Sequence, residues 1–121
     1  MDGTTNQIAM RHNQGKPDWS LLDMESLLPL VEAMMFGAKK YEADNWRKGT
    51  PIKTSLSCLL RHITAFMKGE DNAPDSGVSH LGHAMANLLF MIHDLREHPE
   101  LDNRFKKPLK FTPQEIESFT P

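Results

Sequence analysis

Apolar positions recur with the period of a helix in three stretches of this chain of 121 residues. The first runs from Met24 to Tyr41, with Leu27, Leu28, Val31, Met34, Met35 and Ala38 repeating as a buried helical face does. Pro29 lies inside it, so the helix either kinks there or begins near Leu28; Gly37 is a second weak point. The second stretch, Leu56, Leu59, Leu60, Ile63, Phe66 and Met67, predicts a helix from a cap at Thr54 or Ser55 to about Lys68. The third carries the stripe Leu81, Ala84, Met85, Leu88, Met91, Ile92 and Leu95, with Asp75, Ser76 or Ser79 as its cap and an end near Glu97.

Punctuation separates these stretches. Residues 42–53 and the segment "GEDNAPDSG" (69–77) are rich in Asp, Asn, Gly and Pro and read as loops. Residues 1–19 are polar and aperiodic, an N-terminal arm. In the tail, "TPQE" at 112–115 has the form of a short capped helix, with Thr112 as cap, Pro113 at its first position and Glu115 closing a capping box. With no convincing strand and no internal repeat, the expected fold is all-α. It is one domain over residues 1–121: an arm (1–19), a helical core (20–97) and a tail with a short fourth helix (98–121).

Composition narrows the class. Hydrophobic residues at 39% and charged residues at 25% suit an ordinary globular domain, and a net charge of −2 argues against stable nucleic-acid binding. The single cysteine, Cys58, cannot form an intrachain disulfide and fits a reducing compartment. The N-terminus lacks the apolar region of a signal peptide, and no apolar run approaches the roughly 20 residues of a membrane span. A cytoplasmic protein with no membrane partner is expected. Eight methionines and Leu-rich helices suggest more apolar surface than three helices can hide, which predicts a homodimer or homotetramer with the site near subunit boundaries.

The chemistry concentrates in polar residues set among these helices. His80, His83, Asn87 and Asp94 fall within roughly a 60° arc of the third helix, away from most of its apolar stripe. Such a band is either a solvated flank or the wall of a site. Gly82 and Ala86, on the other flank, suit the close approach of another helix. His62 lies off the stripe of the second helix and becomes a further candidate only if the two faces meet. The acidic loop supplies Glu70, Asp71 and Asp75, either a solvated turn or a place for Mg²⁺. "AKKYEADNWRKG" interleaves Lys39, Lys40 and Arg47 with Tyr41 and Trp46, a pattern suited to phosphates and a stacked base.

Taken in order, "NQGKPDWSLL" (13–22), "FGAKKYEADNWRKG" (36–49), "LLRHITAFMKGED" (59–71) and "DSGVSHLGHAMANLLFMI" (75–92) resemble a phage family, the N-terminal domain of dATP/dGTP diphosphohydrolases. That family is similar to the MazG-like all-α nucleotide pyrophosphohydrolases, which split a nucleoside triphosphate into monophosphate and diphosphate. The resemblance implies a purine nucleotide partner and a Mg²⁺ or Mn²⁺ cofactor. It departs at one place: the MazG-like ligands are an ExxE and an ExxD pair, whereas here His80 and His83 stand where ExxD is expected and the second helix has Arg61 and His62 with no ExxE. Either the metal site is rebuilt from among His62, Glu70, Asp71, Asp75, His80 and His83, with Glu70, Asp75, His80 and His83 as the expected ligands, or hydrolysis is lost and binding alone remains. On the first reading His62, His83 and Glu70 are the catalytic candidates. Lys39, Lys40, Arg47 and Arg61 would contact phosphate, Tyr41 or Trp46 would stack the base, and Asn45 and Asn87 would complete the nucleotide contacts.

Overall fold

A computed structural model describes residues 7–106 together with Gln114, Glu117 and Ser118. Its helices are α1 (Leu28–Lys40), α2 (Ile52–Met67) and α3 (His80–Glu97), with a 3-10 turn (Asn45–Lys48) between the first two and a loop (68–79) between the last two, so the expected all-α class holds among the described residues. Thr112, Pro113 and Glu115, the cap of the expected fourth helix, lie outside the described residues.

The boundaries follow local chemistry. Proline at the second position of α1 lacks the N–H that a first turn leaves unused, so the regular helix begins at Leu28 and Met24–Leu27 is a separate 3-10 turn. Of the two options for Pro29, the late start is the one adopted. α2 begins earlier than its expected cap, at Ile52 behind Pro51, with no side-chain cap; Thr54 lies within the helix and Ser55 is buried. Ser79 caps α3, its hydroxyl accepting the Leu81 N–H at 3.1 Å. Asp75 and Ser76 stay in the preceding loop.

α3 is the central helix, with α2 against one side and α1 against another. Its crossing with α1 needs Gly82, since a Cβ there would lie 2.3 Å from the Pro29 carbonyl oxygen. Ala33 and Ala86 are buried too, and Ala86 lies one turn from Gly82 on the same flank, so small residues let the two backbones approach. A gap remains between α1 and α2 above α3, and it positions the site. The apolar stripe of α3 departs from expectation: Leu81, Leu88, Ile92 and Leu95 are exposed, while His80 and Asp94 of the polar band are buried. Among the described residues, no helix is long and apolar enough to cross a membrane.

Candidate functional site

The gap is a cleft of ≈ 420 Å³. α1 supplies Phe36 and Lys40 to its wall, and the following loop supplies Tyr41, Asn45 and Trp46. α2 supplies Ser55, Cys58 and His62; α3 supplies His83, Asn87 and Phe90; the acidic loop adds Asp75. This volume lies within the range of small-molecule sites, about 300–1,000 Å³.

At one end three imidazoles meet. The rings of His62 and His83 stack with centroids 4.7 Å apart, and Phe36 meets His83 edge-on at 6.1 Å. His62 Nδ1 is 2.8 Å from His80 Nδ1, and the other nitrogen of His80, Nε2, is 2.6 Å from Glu70 Oε1. With Glu70 ionised, His80 donates its Nε2 proton to the carboxylate and its Nδ1 accepts from His62 Nδ1–H. The Nε2 lone pair of His62 is then left unused by this chain of bonds. Ser76 Oγ lies 2.7 Å from His83 Nε2, and the Asn87 amide donates to the His83 carbonyl at 2.9 Å. Burial lowers the pKa of His62, as do His83 and His80, while Asp75 acts in the opposite direction. Burial likewise lowers that of His83, opposed by Asp75. Both rings are therefore held toward the neutral form, which bears a lone pair.

The loop behind this end is folded so that these contacts are possible. The Asp71 carbonyl accepts the His80 N–H at 2.8 Å, and Val78 accepts that of Ala73 at 2.8 Å. Gly77, at φ +72°, supplies the left-handed residue of the turn.

Other expected residues are distributed unevenly. Lys40, Tyr41, Asn45, Trp46 and Asn87 line the cleft, as do His62, Asp75 and His83. Lys39 is exposed outside it. Arg47 is paired with Asp44 at 2.9 Å, and Arg61 bonds Ser57 at 2.8 Å on a different face. Phe90 stacks on Trp46 at 5.5 Å and the Arg47 guanidinium lies 4.5 Å from its ring, so the tryptophan is fixed as part of the wall. Tyr41, 64% exposed, has the freer aromatic face.

The ligand set expected for Mg²⁺ or Mn²⁺ is not gathered at one point. His80 is buried with both nitrogens engaged, and Glu70 reaches it from outside the cleft. Asp75 is the one expected oxygen ligand on the cleft wall, which suits Mg²⁺ poorly. As arranged, these residues do not fit the ion, and no step below runs through one.

A second grouping escaped the sequence reading. His93 and Asp94 at the end of α3 meet His98, with donor atoms of all three within 4.8 Å of one another. The polar band pointed to Asp94, but no periodic signal marked its histidine neighbours.

Comparison with known proteins came to the same segments. The family model described as "dATP/dGTP diphosphohydrolase, N-terminal" matches residues 6–104. A relative named dATP/dGTP diphosphohydrolase, from Salmonella phage PMBT28, is 30% identical over 95 residues, covering 78% of this chain and 32% of the relative. The chain thus spans about a third of the length of that relative. No solved structure matches.

Proposed function

Because the chain belongs to the dATP/dGTP diphosphohydrolase N-terminal family, we propose that its cleft takes up a purine deoxynucleoside triphosphate and hydrolyses it to monophosphate and diphosphate. The observation that carries this reading is the joining, in one cleft, of the imidazoles of His62 and His83, held toward the neutral form, and a wall bearing Lys40, Tyr41, Asn45 and Trp46. Lys40 would neutralise phosphate charge, Tyr41 would stack the purine, and Asn45 and Asn87 would bond to it.

In the reaction, the oxygen of a water bonds to the α-phosphorus as the bond from that phosphorus to the α–β bridging oxygen breaks. Diphosphate leaves with the bridging oxygen. The water proton passes to a neutral imidazole, for which His62 Nε2 is the best placed, with His83 beside it. Glu70 acts through His80, fixing the His62 tautomer and favouring the cation that forms. His80 and Glu70 are positioning residues on this reading.

The exposed stripe supports a paired state. Leu28, Val31, Met35, Leu88 and Ile92 are exposed on the helices themselves. A homodimer or homotetramer would cover them, and a monomer by light scattering would oppose this.

A second reading, a nucleotide-sequestering protein, draws on the missing ExxE. Incubation with dGTP and dATP in the presence of Mn²⁺, followed by ³¹P NMR, separates the two. Release of diphosphate supports hydrolysis; bound but intact nucleotide supports sequestration.

A further inference from the structure

The grouping at the far end of α3 has features that a hydrogen-bonded tether alone does not require. Asp94 is fully buried at 0% exposure, and among the described residues no lysine or arginine ion-pairs with it. Its Oδ1 is 3.0 Å from His93 Nδ1, and its Oδ2 accepts the Thr50 N–H at 3.1 Å. A carboxylate buried this deeply calls for a positive charge beside it. His98 donates its Nε2 proton to the Arg47 carbonyl at 2.8 Å, which leaves Nδ1 bearing a lone pair, 3.7 Å from Glu100 Oε1. A backbone carbonyl on one imidazole nitrogen and a backbone N–H on one carboxylate oxygen are the supports that orient metal ligands. Gly49 is part of the same construction: at φ +95°, with a Cβ that would sit 2.8 Å from His98 Cδ2, it lets the loop lie against the imidazole.

We propose that His93, Asp94 and His98 form a binding site for a divalent transition-metal ion. Two imidazoles and one carboxylate suit Zn²⁺ or Mn²⁺ and do not suit Mg²⁺ or Ca²⁺. With His98 Nε2 and Asp94 Oδ2 committed to the backbone, the ion takes His98 Nδ1, Asp94 Oδ1 and a ring nitrogen of His93. If that nitrogen is Nδ1, the ion displaces the proton now shared with Asp94, which moves to His93 Nε2 or is released to solvent. The ion supplies the missing positive charge. It ties the last turn of α3 to His98, whose Nε2 already bonds the Arg47 carbonyl of the loop carrying Trp46, and Trp46 meets His93 edge-on at 4.8 Å while forming part of the cleft wall. The site is separate from the imidazole cluster of the cleft and does not depend on any turnover there.

The test uses the full chain, stripped with EDTA and titrated with Zn²⁺ and with Mn²⁺ by calorimetry, with bound metal counted by mass spectrometry. Alongside the wild type are run His93→Gln, His98→Gln and the double variant His62→Gln/His83→Gln. The expected result is about one ion per chain in the wild type and in the double variant, with affinity lower by roughly 10-fold or more in His93→Gln and His98→Gln. No uptake by the wild type would overturn the proposal. So would uptake lost in the double variant and untouched in His98→Gln. Should the single variants fail to fold by circular dichroism, histidine-ring NMR of the wild type decides: Zn²⁺ must perturb His93 and His98, and perturbation confined to His62, His80 and His83 contradicts the assignment.

Discussion

Near its first turn α3 brings His80 and His83 to His62; near its last it sends His93 and Asp94 beneath Trp46 toward His98. Both groupings pair imidazoles with a carboxylate, yet they are built differently. The first opens into the cleft, and its cleft-lining rings His62 and His83 are held toward the neutral form by burial and by the neighbouring imidazole of His80. The second is closed over and tied to the backbone through Thr50 and Arg47. The contrast teaches that a buried histidine is not by itself a mark of catalysis. A lone pair left facing a cavity is the stronger sign, and backbone-tethered nitrogens point to architecture.

Removing one side chain at each end is the sharpest way to break this contrast. His62→Ala is expected to lower diphosphate release from dGTP by roughly 100-fold or more, the ordinary contribution of a general base, with little change in melting temperature. Asp94→Ala is expected to do the reverse. Removing the buried acceptor leaves the Thr50 N–H and the His93 ring without a partner, at about 1–3 kcal/mol for each group, so thermal melting should fall steeply even where folded protein keeps the cleft chemistry. Equal effects of both variants on turnover and stability would erase the distinction.

Smaller changes refine it. Gly49→Ala forces a left-handed residue to carry a Cβ against His98 and Leu101, for an expected loss of about 1–3 kcal/mol in urea unfolding. Gly37→Ala, in open space on α1, should be neutral or slightly stabilising by the same assay. The smallest effect concerns pH. His62 and His83 have lowered pKa values, so below about 6.5, the usual imidazole value, the unfolded chain takes up protons that the native chain resists. Stability should be complete above that value and decline as pH falls toward 5, and His62→Gln/His83→Gln should flatten the decline. An unchanged slope in the double variant would locate the titrating groups elsewhere.

Much of this architecture was legible in the pattern of residues. The three helices follow from Leu and Met at helical spacing, and the polar arc of α3 set His80, His83, Asn87 and Asp94 apart from its apolar stripe, although only His83 and Asn87 of these line the cleft. Pro29 and Gly82 announced the late start of α1 and its close crossing with α3. Periodicity could not say which arc faces inward. The apolar arc of α3 was expected to be its buried side, yet Leu88 and Ile92 are exposed while Asp94 is fully enclosed. Nor could it find contacts made across loops. Ser76 on His83, Thr50 on Asp94 and Arg47 on His98 join residues 7, 44 and 51 positions apart, set by how the chain turns rather than by any local repeat. The basic residues show the same limit: spacing grouped Lys39 with Lys40, and helix geometry leaves only Lys40 on the cleft wall.

The central claim is that triphosphate meets the imidazoles at the first turns of α3 and leaves those at its end untouched. Histidine-ring NMR during titration with a dGTP analogue carrying a methylene bridge between its α- and β-phosphorus atoms tests it directly. The account predicts saturable shifts at His62 and His83, with His93 and His98 unmoved. Shifts confined to His93 and His98, or none at His62 and His83 when the analogue is bound, would contradict it.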